Sequence, residues 1–253
     1  MIREILTAAA LALVCAQGAQ AENIRIATEG AYPPFNLVDS SGKLKGFDVD
    51  IAKALCAEMK AHCTIVAQAW DGIIPGLKAG KYDAIIASMS ITPARKKAVD
   101  FTAPYYVAGA ALVGPAKSDI TFTPAGLKGK TIGVQRATTY AALLKEKFPG
   151  AKIKLYDTVD NQNLDLKAGR LDGVVAQQVV MYEWLKKDGG KAFAFKGKPF
   201  LDPKYIGDGA GIAVNKGNTK LRDQFDAALK TIMANGTYAK INASYFPFSI
   251  APK

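Results

Sequence analysis

The chain has 253 residues, 49% apolar and 22% charged, which suits one large domain or two modest lobes and excludes a disordered or fibrous protein. The net charge of +11 comes mostly from basic residues that stand singly, as at Lys43, Lys53, Lys78 and Lys81. No basic run is interleaved with aromatics, so solvated helix surfaces explain the charge and nucleic acid is not an expected partner.

Residues 1–21 read as a secretory signal peptide. Arg3 supplies the positive start, an apolar run over 5–14 follows, and Ala19-Gln20-Ala21 is a small-residue cleavage site. The run is too short to span a membrane. Val14 stands before Cys15 where a lipoprotein needs a small residue, so cleavage after Ala21 and a periplasmic location are expected. Cys56 and Cys63 then remain, and export favours a disulfide between them over two free buried thiols. No metal site is expected, because two sulfurs and the sole histidine, His62, lack a fourth ligand.

In chain order, alternation predicts a strand over 23–28. Phe47, Ile51, Leu55 and Met59 set a helix over 47–59. A strand over 64–67, a helix over 71–78 ended by Gly80, and an apolar strand over 82–87 complete one unit. A similar unit follows: strand 130–134, helix 138–148, strand 153–156, helix 160–167, strand 171–176 and helix 178–185. The pattern breaks over 197–211, which is rich in Gly and Pro. A strand over 211–214 and helices over 221–233 and 237–245 close the chain. The alternation implies α/β lobes with parallel sheets and crossover helices, and a ligand cleft beyond the carboxyl ends of the strands, between the lobes.

Three segments carry candidate binding chemistry. The first runs from Ala87 through Ser88, Ser90, Thr92 and Pro93 to Arg95. Thr92 suits an N-cap and Pro93 a first helical turn, so free N–H groups and the Arg95 fork face an anion together. The second, Gln135 through Thr138, Thr139 and Tyr140, also leaves a strand and opens a helix. The third is Glu29 with Tyr32 and Trp70, an acid and two aromatics suited to a cation. No catalytic set is visible: there is no P-loop, no G-x-G-x-x-G, no His partner for a nucleophile and no marked carboxylate pair. No cofactor is expected.

Several segments together resemble family 3 solute-binding proteins of ABC-type importers. They include Thr28-Glu29-Gly30-Ala31-Tyr32-Pro33-Pro34-Phe35, Gly46-Phe47-Asp48-Val49-Asp50-Ile51-Ala52 and Trp70-Asp71-Gly72-Ile73-Ile74-Pro75. Others are Thr92-Pro93-Ala94-Arg95, Asp100-Phe101-Thr102-Ala103-Pro104-Tyr105, Ala168-Gly169-Arg170-Leu171-Asp172 and Gly236-Thr237-Tyr238. Within the family the chain looks most like the lysine/arginine/ornithine- and histidine-binding branch, with the octopine and nopaline binders, and Cys56–Cys63 matches a disulfide of that branch. The resemblance implies a periplasmic binding protein type II fold. Lobe 1 would be 22–106 plus 210–253 and lobe 2 would be 111–200, joined by hinge strands at 107–110 and 201–209.

By the same likeness, Arg95 would hold an α-carboxylate, helped by the N–H groups of Ser90 and Thr138. Ser88 would face the α-amino group, Tyr32 and Trp70 would sandwich the side chain, and Glu29 would meet a distal cation. Gln177 stands where amino-acid binders of the family carry an Asp beside the α-ammonium, and Ala87 and Tyr140 also depart. The implied ligand is a basic amino acid (arginine, lysine, ornithine) or an opine whose α-nitrogen is substituted. The implied partner is a membrane permease, and a monomer is expected. The alternatives are a histidine or glutamine binder, or an enzyme on the same scaffold, similar to cyclohexadienyl dehydratase, with Glu29 as the acid/base group.

Overall fold

The computed structural model describes residues 22–252, and the expected signal peptide lies outside them. The first sheet begins with β1 (Asn23–Thr28), and a small antiparallel sheet follows from β2 (Ala31–Tyr32), β3 (Asn36–Val38) and β4 (Leu44–Lys45). Helix α1 (Phe47–Glu58) leads into β5 (His62–Ala67). A single 3₁₀ turn precedes α2 (Ile73–Lys78), and β6 (Ala84–Ile85), α3 (Pro93–Lys96) and β7 (Val99–Tyr106) follow. The chain then builds the second sheet from β8 (Ala110–Pro115), β9 (Thr131–Gln135), α4 (Thr139–Lys147), β10 (Lys152–Tyr156), α5 (Val159–Lys167), β11 (Gly173–Gln177), α6 (Gln178–Trp184) and β12 (Phe193–Phe195). After α7 (Pro203–Ile206) it returns to the first sheet as β13 (Ala210–Asn215) and ends in α8 (Thr219–Ala234) and α9 (Thr237–Tyr245).

The first sheet has the order β5-β1-β6-β13-β7, and the second β10-β9-β11-β8-β12. This is the two-lobed α/β architecture the sequence implies, with one difference: both sheets are mixed. β13 runs antiparallel to β6 and β7, and β8 runs antiparallel to β11 and β12. Each arrives by a direct crossing, so no helix is needed to reverse its direction.

Burial explains the local choices. In α8, Leu221, Phe225, Ala228, Leu229 and Ile232 form one buried stripe against the first sheet. Phe35, Phe47, Tyr105 and Tyr106 pack in a buried aromatic cluster beneath the cleft, with Phe35 stacked on Tyr106 at 4.8 Å. The second lobe has its own core, in which Leu112, Ile132, Val134, Leu143, Leu144 and Phe148 are buried. Cys56 and Cys63 form a disulfide that ties the last turn of α1 to β5.

Two segments differ from the expected hinge strands. Residues 107–109 have no regular structure, although the Val107 N–H donates to the Ile250 carbonyl at 3.0 Å. The 201–209 stretch contains the helical turn α7. The Asp202 side chain accepts from the Lys204 N–H at 2.9 Å and Pro203 takes the first helical position, so capping wins over extension. The strand expected over 82–87 is paired only at Ala84–Ile85, because the chain turns into the cleft at Ser88, with φ 53°.

Candidate functional site

Every candidate cleft residue except Gln177 lines one cleft between the two sheets, about 300 Å³ counted with the open space at its mouth. Glu29, Tyr32, Trp70, Ala87, Ser88, Ser90 and Arg95 come from the first lobe, and Gln135, Thr138, Thr139 and Tyr140 from the second. They gather there because β1 and β9 end at the cleft and the loops after them open onto it.

Arg95 lines this cleft. Thr92 caps α3 by accepting from the Arg95 N–H at 3.3 Å, and Pro93 occupies the first turn. Arg95 Nη1 donates to the Ser90 carbonyl at 3.1 Å, and the guanidinium lies 5.1 Å from the centre of the Trp70 ring. Burial lowers its pKa to about 10, so it stays charged at neutral pH. Among the described residues no ion pair places a carboxylate on Arg95, which leaves the rest of its donor fork for an incoming anion. Thr138 caps α4 in the same manner from the opposite lobe, accepting from the Ala141 N–H at 3.2 Å.

Glu29 is the acid of the same cleft. Its carboxylate is only 7% exposed and accepts from Gln135 Nε2 at 2.5 Å, across the two lobes. Burial raises its pKa to about 7, against the opposing pull of the Gln135 bond and with help from the charges of Asp160, Asp48 and Asp71. Gln135 is itself held by a second bond, to the Asp157 carbonyl at 3.0 Å. Two further contacts bridge the lobes here. Trp70 Nε1 donates to the Ala137 carbonyl at 3.2 Å, and Arg136 reaches Asp71 at 3.4 Å while also pairing with Asp157. The cleft is therefore in a closed arrangement.

Ser88 is fixed by its neighbours. Its N–H donates to the Tyr105 hydroxyl at 2.9 Å and its hydroxyl donates to Asp48 at 2.9 Å. The hydroxyl proton is thus committed, and its lone pairs remain as acceptors, the polarity an ammonium requires. Gln177 lies outside the lining. It is buried, its Nε2 donates to the Tyr106 hydroxyl at 2.6 Å, its side chain also meets the Tyr140 hydroxyl, and its backbone N–H serves Tyr32. Its Oε1 has no hydrogen-bond partner among the described residues.

The residues that sequence reasoning missed lie one layer behind. Asp48 is fully buried and accepts from Asn36 at 2.8 Å, Ser88 at 2.9 Å and Tyr105 at 2.7 Å; burial raises its pKa to about 6 despite these bonds. This network sets the position of the Ser88 turn. The available signal was an acid embedded among Phe47, Val49 and Ile51 on the buried face of a helix.

Residues 24–248 match the family described as bacterial extracellular solute-binding proteins, family 3. The L-arginine-binding protein of Pseudomonas aeruginosa is 47% identical over 232 residues, covering 90% of this chain and 89% of its own. ABC transporter arginine-binding protein 1 of Escherichia coli is 42% identical, covering 97% and 100%. Among solved structures, one that explains high arginine specificity in a Salmonella typhimurium periplasmic binding protein superposes with a TM-score of 0.82 at 36% identity, covering 89% of this chain and all of that one. The relatives span the whole two-lobed unit, cleft included, and this chain belongs to the bacterial extracellular solute-binding proteins of family 3.

Proposed function

We propose that the chain is the periplasmic component of an ABC importer and that its cleft holds a basic amino acid by both ends. The observation that carries this reading is the presence of opposite charges in the wall of one closed cavity, not paired with each other: Arg95, without a carboxylate partner among the described residues, and the buried Glu29, held by Gln135. An α-carboxylate meets the Arg95 fork and the helix starts at Thr92 and Thr138. The aliphatic side chain runs past Tyr32 and Trp70, and the distal cation replaces Gln135 on Glu29. Relatives whose names specify arginine support the same choice.

A panel of arginine, lysine, ornithine, histidine, glutamine, octopine and nopaline, measured by calorimetry, tests the proposal. Arginine is expected to bind most tightly among the plain amino acids, and a preference for glutamine would overturn the role of Glu29. Arg95→Ala should cost every ligand about thirtyfold or more, because truncating one partner of a desolvated charge pair costs about 2–5 kcal/mol. Retained affinity in that variant would refute the carboxylate clamp.

A second reading rests on Gln177. A neutral amide with a free Oε1 lends no countercharge to an α-ammonium, which suits an opine with a substituted α-nitrogen. Octopine or nopaline binding more tightly than arginine would select it. For an enzyme, the cleft offers Glu29 as its only lining carboxylate among the described residues; turnover of prephenate or arogenate would reverse the binding-protein reading.

A further inference from the structure

A second cavity adjoins the cleft at Glu29 and Trp70. It encloses about 760 Å³ of groove space open to solvent, and Glu29 and Trp70 are walls of both. A ligand anchored at Arg95 with its cation on Glu29 therefore ends at the boundary between the two spaces. Anything attached to its distal nitrogen points outward into the second.

The boundary is made of side chains. On one side it is the Glu29–Gln135 hydrogen bond, and on the other the Trp70 indole on the Ala137 carbonyl. Arg136 spans the groove from Asp157 to Asp71, with both of its pairs substantially exposed. Exposed pairs of this kind contribute little, so the span parts at small cost. Beyond the boundary the groove is lined by the small residues Ala31, Ala67 and Ala69, which leave room, and by the carboxylates of Asp71 and Asp157, which favour substituents carrying N–H groups.

We infer that the cleft accepts basic amino acids lengthened at the side-chain terminus, such as arginine substituted on its distal guanidinium nitrogens, with the substituent housed in the groove beyond Glu29. This rests on the two-ended reading of the cleft and adds a third contact region to it. A pocket that ended at Glu29 would instead exclude the added carbons, for which there would be no space.

The test is calorimetric titration of the mature protein with L-arginine, Nω-methyl-L-arginine and Nω-propyl-L-arginine. All three are expected to bind, the propyl compound within about tenfold of arginine. Ala67→Phe, a change at an exposed position that lines the groove and not the inner cleft, should weaken the propyl compound by about tenfold or more while moving arginine by less than about threefold. The inference is overturned if the unmodified protein binds arginine but loses about a hundredfold or more on the propyl compound, or if Ala67→Phe acts equally on both. Failure of all three to bind would refute the underlying two-ended reading, and the inference with it.

Discussion

Glu29 carries a carboxyl whose pKa burial raises from 4.5 to about 7, close to the pH at which it must pair with a cation. Two consequences have opposite signs. Without ligand, the folded state holds this proton more tightly than the unfolded chain, so the associated stability is present below pH 4.5 and fades as the pH rises through 7. With a cationic ligand, the ionised form is required. The Kd for arginine should therefore rise toward about tenfold per unit as the pH falls from 7 to 5, and Glu29→Gln should flatten that profile. An unchanged profile in the variant would assign the pH dependence to another group. Asp48 has a different importance. Asn36, Ser88 and Tyr105 all donate to it, and Asp48→Asn replaces one of its two acceptor oxygens with an N–H donor that opposes either the Tyr105 hydroxyl or the Asn36 and Ser88 donors. We expect a loss of about 2–3 kcal/mol in urea unfolding, with weaker ligand binding as the Ser88 turn relaxes. Arg95 and Glu29 were legible in the sequence because each follows a strand and stands out by charge. Asp48 was not, since an acid in the first turn of a helix has an ordinary explanation in the helix dipole. The orphaned Oε1 of Gln177 was also beyond reach, because hydrogen-bond satisfaction depends on neighbours far away in the chain.

At the scale of elements, periodicity found the long helices and the strands that begin each lobe, because those segments bury one clear stripe or both faces. It failed where pairing is short or set from outside. β2, β3 and β4 hold two or three residues each and leave too little pattern to read. β7 and β8 went unread because neither belongs to a strand–helix alternation. The disulfide between α1 and β5 closes a loop with a sequence separation of 7. Chain-entropy arguments give so short a loop about 2–3 kcal/mol. The Cys56→Ser, Cys63→Ser double variant should accordingly melt about 5–10 °C lower while keeping its ligand affinity, since neither cysteine lines the cleft. A large loss of affinity instead would place α1 in the control of the site, through Asp48.

At the scale of the whole molecule, the closed arrangement depends on a few polar contacts between lobes: Glu29 with Gln135, Trp70 with the Ala137 carbonyl, and Arg136 with Asp71. Apolar packing continues across the join, where Phe35 and Tyr106 share a buried cluster with Val159, Val174 and Met181, and Gln177 donates to the Tyr106 hydroxyl, so the polar contacts and the ligand act at the mouth of a joint that is already packed at its base. Arginine at about 100 times its Kd should then add about 2.7 kcal/mol to apparent stability by mass action, read as a rise in melting temperature that Arg95→Ala abolishes. A rise that survives in that variant would point to binding elsewhere.

The position of β13 also bears on how the chain is assembled. Its residues, 210–215, fill the slot between β6 and β7, and among the described residues β7 has no other strand neighbour in its sheet. The first lobe therefore stays unfinished until nearly the entire polypeptide exists, while the lobe encoded in the middle has all its strands by residue 195. A precursor that has to thread through a narrow translocation channel gains from this order. The half that leads the way out is the half least able to fold early and jam the passage.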